Sequence, residues 1–180
     1  MPLLTFQMCG GLPPGMQPSR MKADSAQRDL PFNFAVKVAQ GLLNKGFKLL
    51  QIRTESEPII PGTIQMQMPF RNLLPISKYS AGHVGIDSAM MHGAAVFNKP
   101  QLIFWGQTDK NNLGYDYEGV FNISNEYGMH SRPNIQLPDR NALFPYKDKN
   151  EGLEFNYSDV EIEKHINKFI DYIKLNGGKK

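Results

Sequence analysis

Asp87, Ser88 and His92 lie within one short segment, Gly85-Ile86-Asp87-Ser88-Ala89-Met90-Met91-His92-Gly93-Ala94-Ala95, and their types and spacing suit the binding of a phosphorylated ligand. Asp87 offers a carboxylate that can accept hydrogen bonds from sugar hydroxyls. Ser88 is a favoured N-cap residue, which puts a helix start at about Ala89. The first N–H groups of such a helix have no partner inside it, and its dipole favours negative charge. A diphosphate could therefore bind there with little reorganisation. His92 follows about one turn later, with its side chain leaning back toward the helix start. Ala89, Gly93, Ala94 and Ala95 are small enough to let a ligand or a sheet come close. The same residues also suit a buried helix with an ordinary Asp-Ser cap, and the local pattern alone leaves both readings open.

Other residue types capable of chemistry are scattered. The four histidines, His83, His92, His130 and His165, are too far apart in sequence to propose a metal site. His83 on an apolar strand and His165 on the last helix read as structural. His130 and Arg132 could line a pocket, although a plain surface loop is the simpler reading. Asp109, Asp116 and Glu118 follow the fifth strand and could border the pocket or be solvated. Cys9 reads as a small buried hydrophobe at the end of the first strand rather than a nucleophile. There is no Walker loop, no Gly-x-Gly-x-x-Gly fingerprint, no His-Glu-x-x-His helix and no Gly-x-Ser-x-Gly elbow. No metal and no cofactor is expected.

The elements that must position these residues alternate. Pro2 to Cys9 reads as a strand, and Gly10 to Leu30, rich in Gly and Pro, as a long loop. Phe32, Ala35, Val36, Val38, Ala39, Leu42 and Leu43 recur at helical spacing, with Gly46 as the stop. Phe47 to Ile52 is a strand and Thr63 to Met68 a weaker one. A short helix near Asn72 to Tyr79 is limited or kinked by Pro75. Strand His83 to Ile86 leads into the helix at Ala89, followed by strands Gln101 to Trp105 and Gly119 to Ile123. A polar, aromatic segment at 124–156 precedes the last helix. Ser158 and Glu161 form its capping box, Val160, Ile162, Ile166, Ile170 and Ile173 lie on its apolar side, and Asn176-Gly177-Gly178 ends it. Strands alternating with helices predict an α/β, Rossmann-like three-layer domain with a mainly parallel sheet, spanning 1–180.

Composition sets the outer bounds. At 180 residues the chain can bury one sizeable core, and its 21% charged and 41% apolar residues are ordinary for a globular protein. A net charge of +3 without basic runs gives no reason to expect a nucleic-acid partner. One cysteine excludes an internal disulfide framework and fits a reducing compartment. No stretch approaches the roughly 18 apolar residues of a membrane span. The expected location is the cytoplasm.

The segment from His83 to Asp109 resembles the C-terminal, donor-binding domain of the family 9 glycosyltransferases, the lipopolysaccharide heptosyltransferases and their relatives. Their pattern runs Asp, Ser or Thr, Gly, two residues, His, an Ala-rich helix, Lys-Pro, and an apolar strand ending Phe-Gly-x-Thr. It is matched at Asp87, Ser88, His92, Ala94, Ala95, Lys99, Pro100, Gly106 and Thr108. A weaker similarity covers most of the remaining chain.

The resemblance implies one half of a GT-B fold that binds a nucleotide-diphosphate sugar. By it, Asp87 would contact sugar hydroxyls, the N–H groups of Ser88 and Ala89 would face the diphosphate, and His92 would support the site. Arg20, Gly106, Thr108 and Asp109 could form the pocket rim. Lys22, with Arg20 as the alternative, would match a family lysine near the phosphates. The chain also departs from the family. Ala89 stands where Gly is usual, and its methyl could crowd the approach of phosphate to backbone. An acidic residue that often contacts the ribose has no clear equivalent near Pro69-Phe70-Arg71-Asn72. A whole enzyme needs a second domain, which normally carries the catalytic base, and no base stands out here. The expectation is thus the donor-binding half of an inverting, metal-independent glycosyltransferase, completed by an acceptor-binding domain in another chain or by a second copy. The alternative is a non-catalytic nucleotide- or glycan-binding protein, or a structural, viral-assembly protein with a relic of this fold. Leu12, Pro13, Pro14, Met16, Met90 and Met91 could contribute to a face that meets such a partner.

Overall fold

The computed structural model describes residues 1–10, 29–106, 108, 110–125 and 155–176. In chain order the elements are β1 (Leu3–Gln7), α1 (Phe32–Asn44), β2 (Lys48–Ile52), β3 (Ile64–Met66), α2 (Phe70–Tyr79), β4 (Gly82–Gly85), α3 (Ala89–Val96), β5 (Gln101–Phe104), α4 (Lys110–Leu113), β6 (Val120–Ile123) and α5 (Asp159–Asn176). The strands form one sheet in the order β3-β2-β1-β4-β5-β6, and every pairing among them is parallel. This is the α/β, Rossmann-like arrangement expected from the alternating pattern.

Alternation along the strands sorts side chains to two covered faces, as a fully buried parallel sheet requires. Leu4, Phe6, Leu49, Val84, Leu102 and Phe104 point to one face and join α1 and α5 through Phe34, Val38, Leu42, Ile166, Phe169 and Ile170. Phe34 meets Phe104 edge to face, with ring centroids 5.1 Å apart. On the opposite face Leu50 and Ile52 pack with Leu73 of α2 and Met90 of α3, while Ile103 and Trp105 pack with Met91. The sheet is therefore the middle of three layers.

A polar row crosses the centre of the sheet. Thr5, His83 and Gln101 are in register on β1, β4 and β5, and all are fully buried. Thr5 Oγ1 and His83 Nδ1 are 3.0 Å apart. Burial pushes the His83 pKa down to about 3, so the ring stays neutral. The structural role expected for His83 is the one observed. Gln51 has a comparable task on β2, next to the edge strand β3. Its Oε1 accepts from Ile60 N–H and Thr63 Oγ1, each at 3.0 Å, and its Nε2 donates to Pro58 C=O at 2.9 Å, which shapes the loop before β3.

The helices follow their sequence signals with a few differences. α2 begins at Phe70, two residues earlier than the pattern suggested, and carries Pro75 inside it. The N–H that Pro75 lacks would have served Arg71, still in the first turn, so the helix continues. The capping box of α5 forms: Glu161 Oε2 accepts from Ser158 N–H at 2.8 Å and Ser158 Oγ at 2.7 Å. Those bonds hold the Glu161 carboxyl below its usual range. Val160 and Phe32, expected on apolar faces, are 77% and 41% exposed. Met90 and Met91 are fully buried under α3 and cannot form a partner-facing surface. The single turn α4, absent from the sequence reading, lays Leu113 against Trp105. Most of the two irregular segments at 10–30 and 124–156, with Leu12, Pro13, Pro14, Met16, His130 and Arg132, lie outside the described residues. Among the described residues no helix is long and apolar enough to cross a membrane.

Candidate functional site

The sheet order reverses between β1 and β4, since β1 continues to β2 on one side and pairs with β4 on the other. In open α/β sheets the strand ends diverge at such a point, and the crevice outside their carboxyl ends accepts ligands. Here that crevice is bounded by Gln7 at the end of β1, Gly85 at the end of β4, and the start of α3. Gln7 and Gly85 are register partners. A side chain at Gly85 would put its Cβ 2.4 Å from Gln7 C=O and 3.1 Å from His83 Nε2, so only glycine fits without a shift.

Asp87, two residues beyond β4, is 4% exposed. Ser88 stands at the N-cap of α3 with extended dihedrals, as its sequence position predicted, yet its hydroxyl makes no cap bond. Its Oγ is buried and has no hydrogen-bond partner among the described residues. The ladder of α3 opens with His92 N–H to Ser88 C=O at 3.4 Å, so the amides of residues 89–91 lie ahead of it. Ala89 is exposed at this helix start, while Met90 and Met91 beside it are buried.

His92 connects the helix start to the opposite wall. Its Nε2 lies 3.9 Å from Asp87 Oδ1, with the His92 side chain 46% exposed and that of Asp87 5%. Its Nδ1 is 2.9 Å from the Tyr115 hydroxyl, and the two rings meet edge to face with centroids 5.8 Å apart. Tyr115 in turn stacks near Tyr117, whose hydroxyl donates to Lys99 C=O and accepts from Gln101 Nε2. Nearby, Trp105 Nε1 donates to Asn122 Oδ1, and Asn122 Nδ2 donates to Tyr115 C=O. The loop carrying Tyr115 is therefore tied to the ends of β5 and β6.

The structure brings Asp87, Ser88, Ala89 and His92 together at one mouth. Gly106 and Thr108 are buried just after β5. Asp116 and Glu118 are exposed. Lys22, Arg20 and Asp109 lie outside the described residues. Two contributors had not been singled out from sequence, Gln7 and Tyr115. Gln7 could have been noticed as a polar residue closing an apolar strand; nothing in the spacing marks Tyr115. Among the described residues no group of three or more His, Cys, Asp or Glu could hold a metal ion.

Comparison of the whole fold places this geometry in a known architecture. Heptosyltransferase II of E. coli superposes with a TM-score of 0.61 at 11% identity, over 98% of this chain and 48% of that one. TibC, an iron-containing dodecameric heptosyltransferase of enterotoxigenic E. coli solved with ADP-D-beta-D-heptose, gives 0.59 at 12% identity, over 99% and 47%. A family 9 glycosyltransferase of Veillonella parvula gives 0.50 at 13%, over 97% and 46%. The chain has the fold of one half of a GT-B heptosyltransferase. It spans a little under half the length of each of these proteins. By sequence, no family model and no curated protein matches it.

Proposed function

We propose that this GT-B half binds a nucleotide-diphosphate sugar and acts as the donor-binding part of an inverting glycosyltransferase. The observation that carries this reading is the convergence of Asp87, Ser88 and His92 at the start of α3, in the crevice where the sheet order reverses. In this reading the amides at Ser88 and Ala89 receive the diphosphate, aided by the helix dipole. The Asp87 carboxylate accepts hydroxyls of the sugar, and His92 holds that carboxylate in place. Gly106, Thr108 and Asp109 border the donor, and Lys22, or Arg20 in its stead, neutralises phosphate charge. TibC, which shares the fold, was solved with ADP-D-beta-D-heptose, which supports a sugar linked to a nucleoside diphosphate as the ligand class.

The transfer itself needs a base to take the proton of the acceptor hydroxyl, and positive or dipolar groups for the departing diphosphate. The helix start supplies the second. We assign the first to an acceptor-binding domain that completes the fold, in another chain or in a second copy. Residues 1–180 then form one donor-binding unit, and its one cysteine, Cys9, which leaves no internal disulfide, fits the reducing cytoplasm as its setting.

Calorimetric titration with ADP, GDP, UDP and their sugar conjugates tests this reading. Selective binding with a Kd in the micromolar range is expected, weakened at least tenfold in Asp87→Ala. Failure of a folded chain to bind any of them would remove the donor-site assignment.

A further inference from the structure

The start of α3 already carries an internal acceptor. Gln7 Oε1 receives the Met90 N–H at 3.4 Å, while Gln7 Nε2 donates to Cys9 C=O at 2.9 Å. The carboxamide thus spans the crevice from the end of β1 to the first turn of the helix, opposite the side-chain-free Gly85. The two bonds are unequal. The one to Cys9 has an ordinary length, and the one to Met90 is at the outer limit of a hydrogen bond. Beside it, the buried Ser88 hydroxyl has no partner among the described residues. A helix start that offers an unpartnered hydroxyl and a loosely held amide is prepared for a stronger acceptor than the one it holds.

We propose that Gln7 is an internal competitor at this site, a neutral oxygen resting where a phosphate oxygen binds and displaced when one arrives. The inference rests on the donor-binding reading and adds a displacement step to it. An anionic oxygen makes a hydrogen bond roughly twice as strong as a neutral one, so a diphosphate turns the Gln7 amide away from Met90. A ligand that offers only hydroxyls or carbonyls does not. Gln7 therefore lowers the affinity for ligands whose phosphate oxygens must displace it, and leaves a nucleoside, which offers no anionic oxygen to the Met90 amide, unaffected.

Titration of inorganic pyrophosphate, ADP and adenosine into the wild-type chain, Gln7→Ala, Gln7→Met and Gln7→Glu decides the matter. Met preserves the length of Gln7 without its oxygen, so it reads the competition even where Ala loosens the strand end. Pyrophosphate and ADP should bind about fivefold more tightly to the Ala and Met variants, and at least tenfold more weakly to the Glu variant, whose charge lies where the phosphate must go. The Met90 amide resonance should shift both in Gln7→Met and on saturating the wild type with pyrophosphate. Wild-type binding that is unchanged or weakened in Ala and Met, or a Met90 amide indifferent to pyrophosphate, would overturn the role of Gln7 and leave the donor site standing. Absence of binding in all four chains would overturn both. Binding confined to the Ala and Met variants would also overturn the inference, because the wild-type Gln7 amide would then not be displaced.

Discussion

His92 shows how one side chain can serve two neighbours. With Nδ1 at the Tyr115 hydroxyl and Nε2 turned to Asp87, the ring has a defined orientation despite being nearly half exposed. A hydrogen bond at one ring nitrogen fixes what the other can offer. Tyr115→Phe removes the hydroxyl and keeps the ring that packs edge-on against His92. Donor binding should weaken about threefold, in line with a partly exposed hydrogen bond of roughly 0.7 kcal/mol, with the melting temperature nearly unchanged. Calorimetry beside a thermal melt measures both, and undiminished affinity would show that Tyr115 does not position the ring.

At the scale of elements, the tight approach of β1 and β4 at their carboxyl ends is what gives the crevice its shape. Gly85→Ala would press a methyl into the Gln7 carbonyl, so the strands must separate. A loss of about 1–3 kcal/mol, read from urea denaturation, is the expected cost of such overpacking; an unmoved midpoint would show that the strand ends yield freely. The helical and strand periodicities made most of this scaffold legible in the sequence, as did Ser88 at the start of α3 and the Ser158-Glu161 box. Phase was harder to read than type. Phe32 and Val160 each precede the first buried residue of their helix, Phe34 and Ile162, by two positions, a rotation of roughly 200°, which turns them to solvent. Gln7 and Tyr115 escaped because their contacts depend on which strands become neighbours. Met90 is 83 residues from Gln7, and His92 is 23 from Tyr115, so no local spacing encodes either pair.

For the molecule as a whole, the buried polar row ties stability to acidity. An unfolded His83 takes up a proton below about pH 6.5, whereas the folded ring refuses it until about pH 3. The unfolded state then binds more protons, so the contribution of His83 is fully present above pH 6.5 and is lost as pH falls through this window. The slope is up to about 1.4 kcal/mol per pH unit for one proton. Denaturation at pH 6, 5 and 4 should show a shallower decline in His83→Gln than in the wild type, and equal slopes would remove His83 as the cause. The architecture also constrains how the chain can be made. β1 lies at the middle of the sheet, its neighbour β4 begins at Gly82, and α5, which closes one face over Phe6 and Phe104, begins only at Asp159. A ribosome adding about 5–20 residues per second leaves the first strand waiting roughly ten seconds for that covering helix. During synthesis the apolar strand β1 is thus made well before the helix that shelters it, which makes the nascent chain a client for whatever guards exposed strands at the exit tunnel.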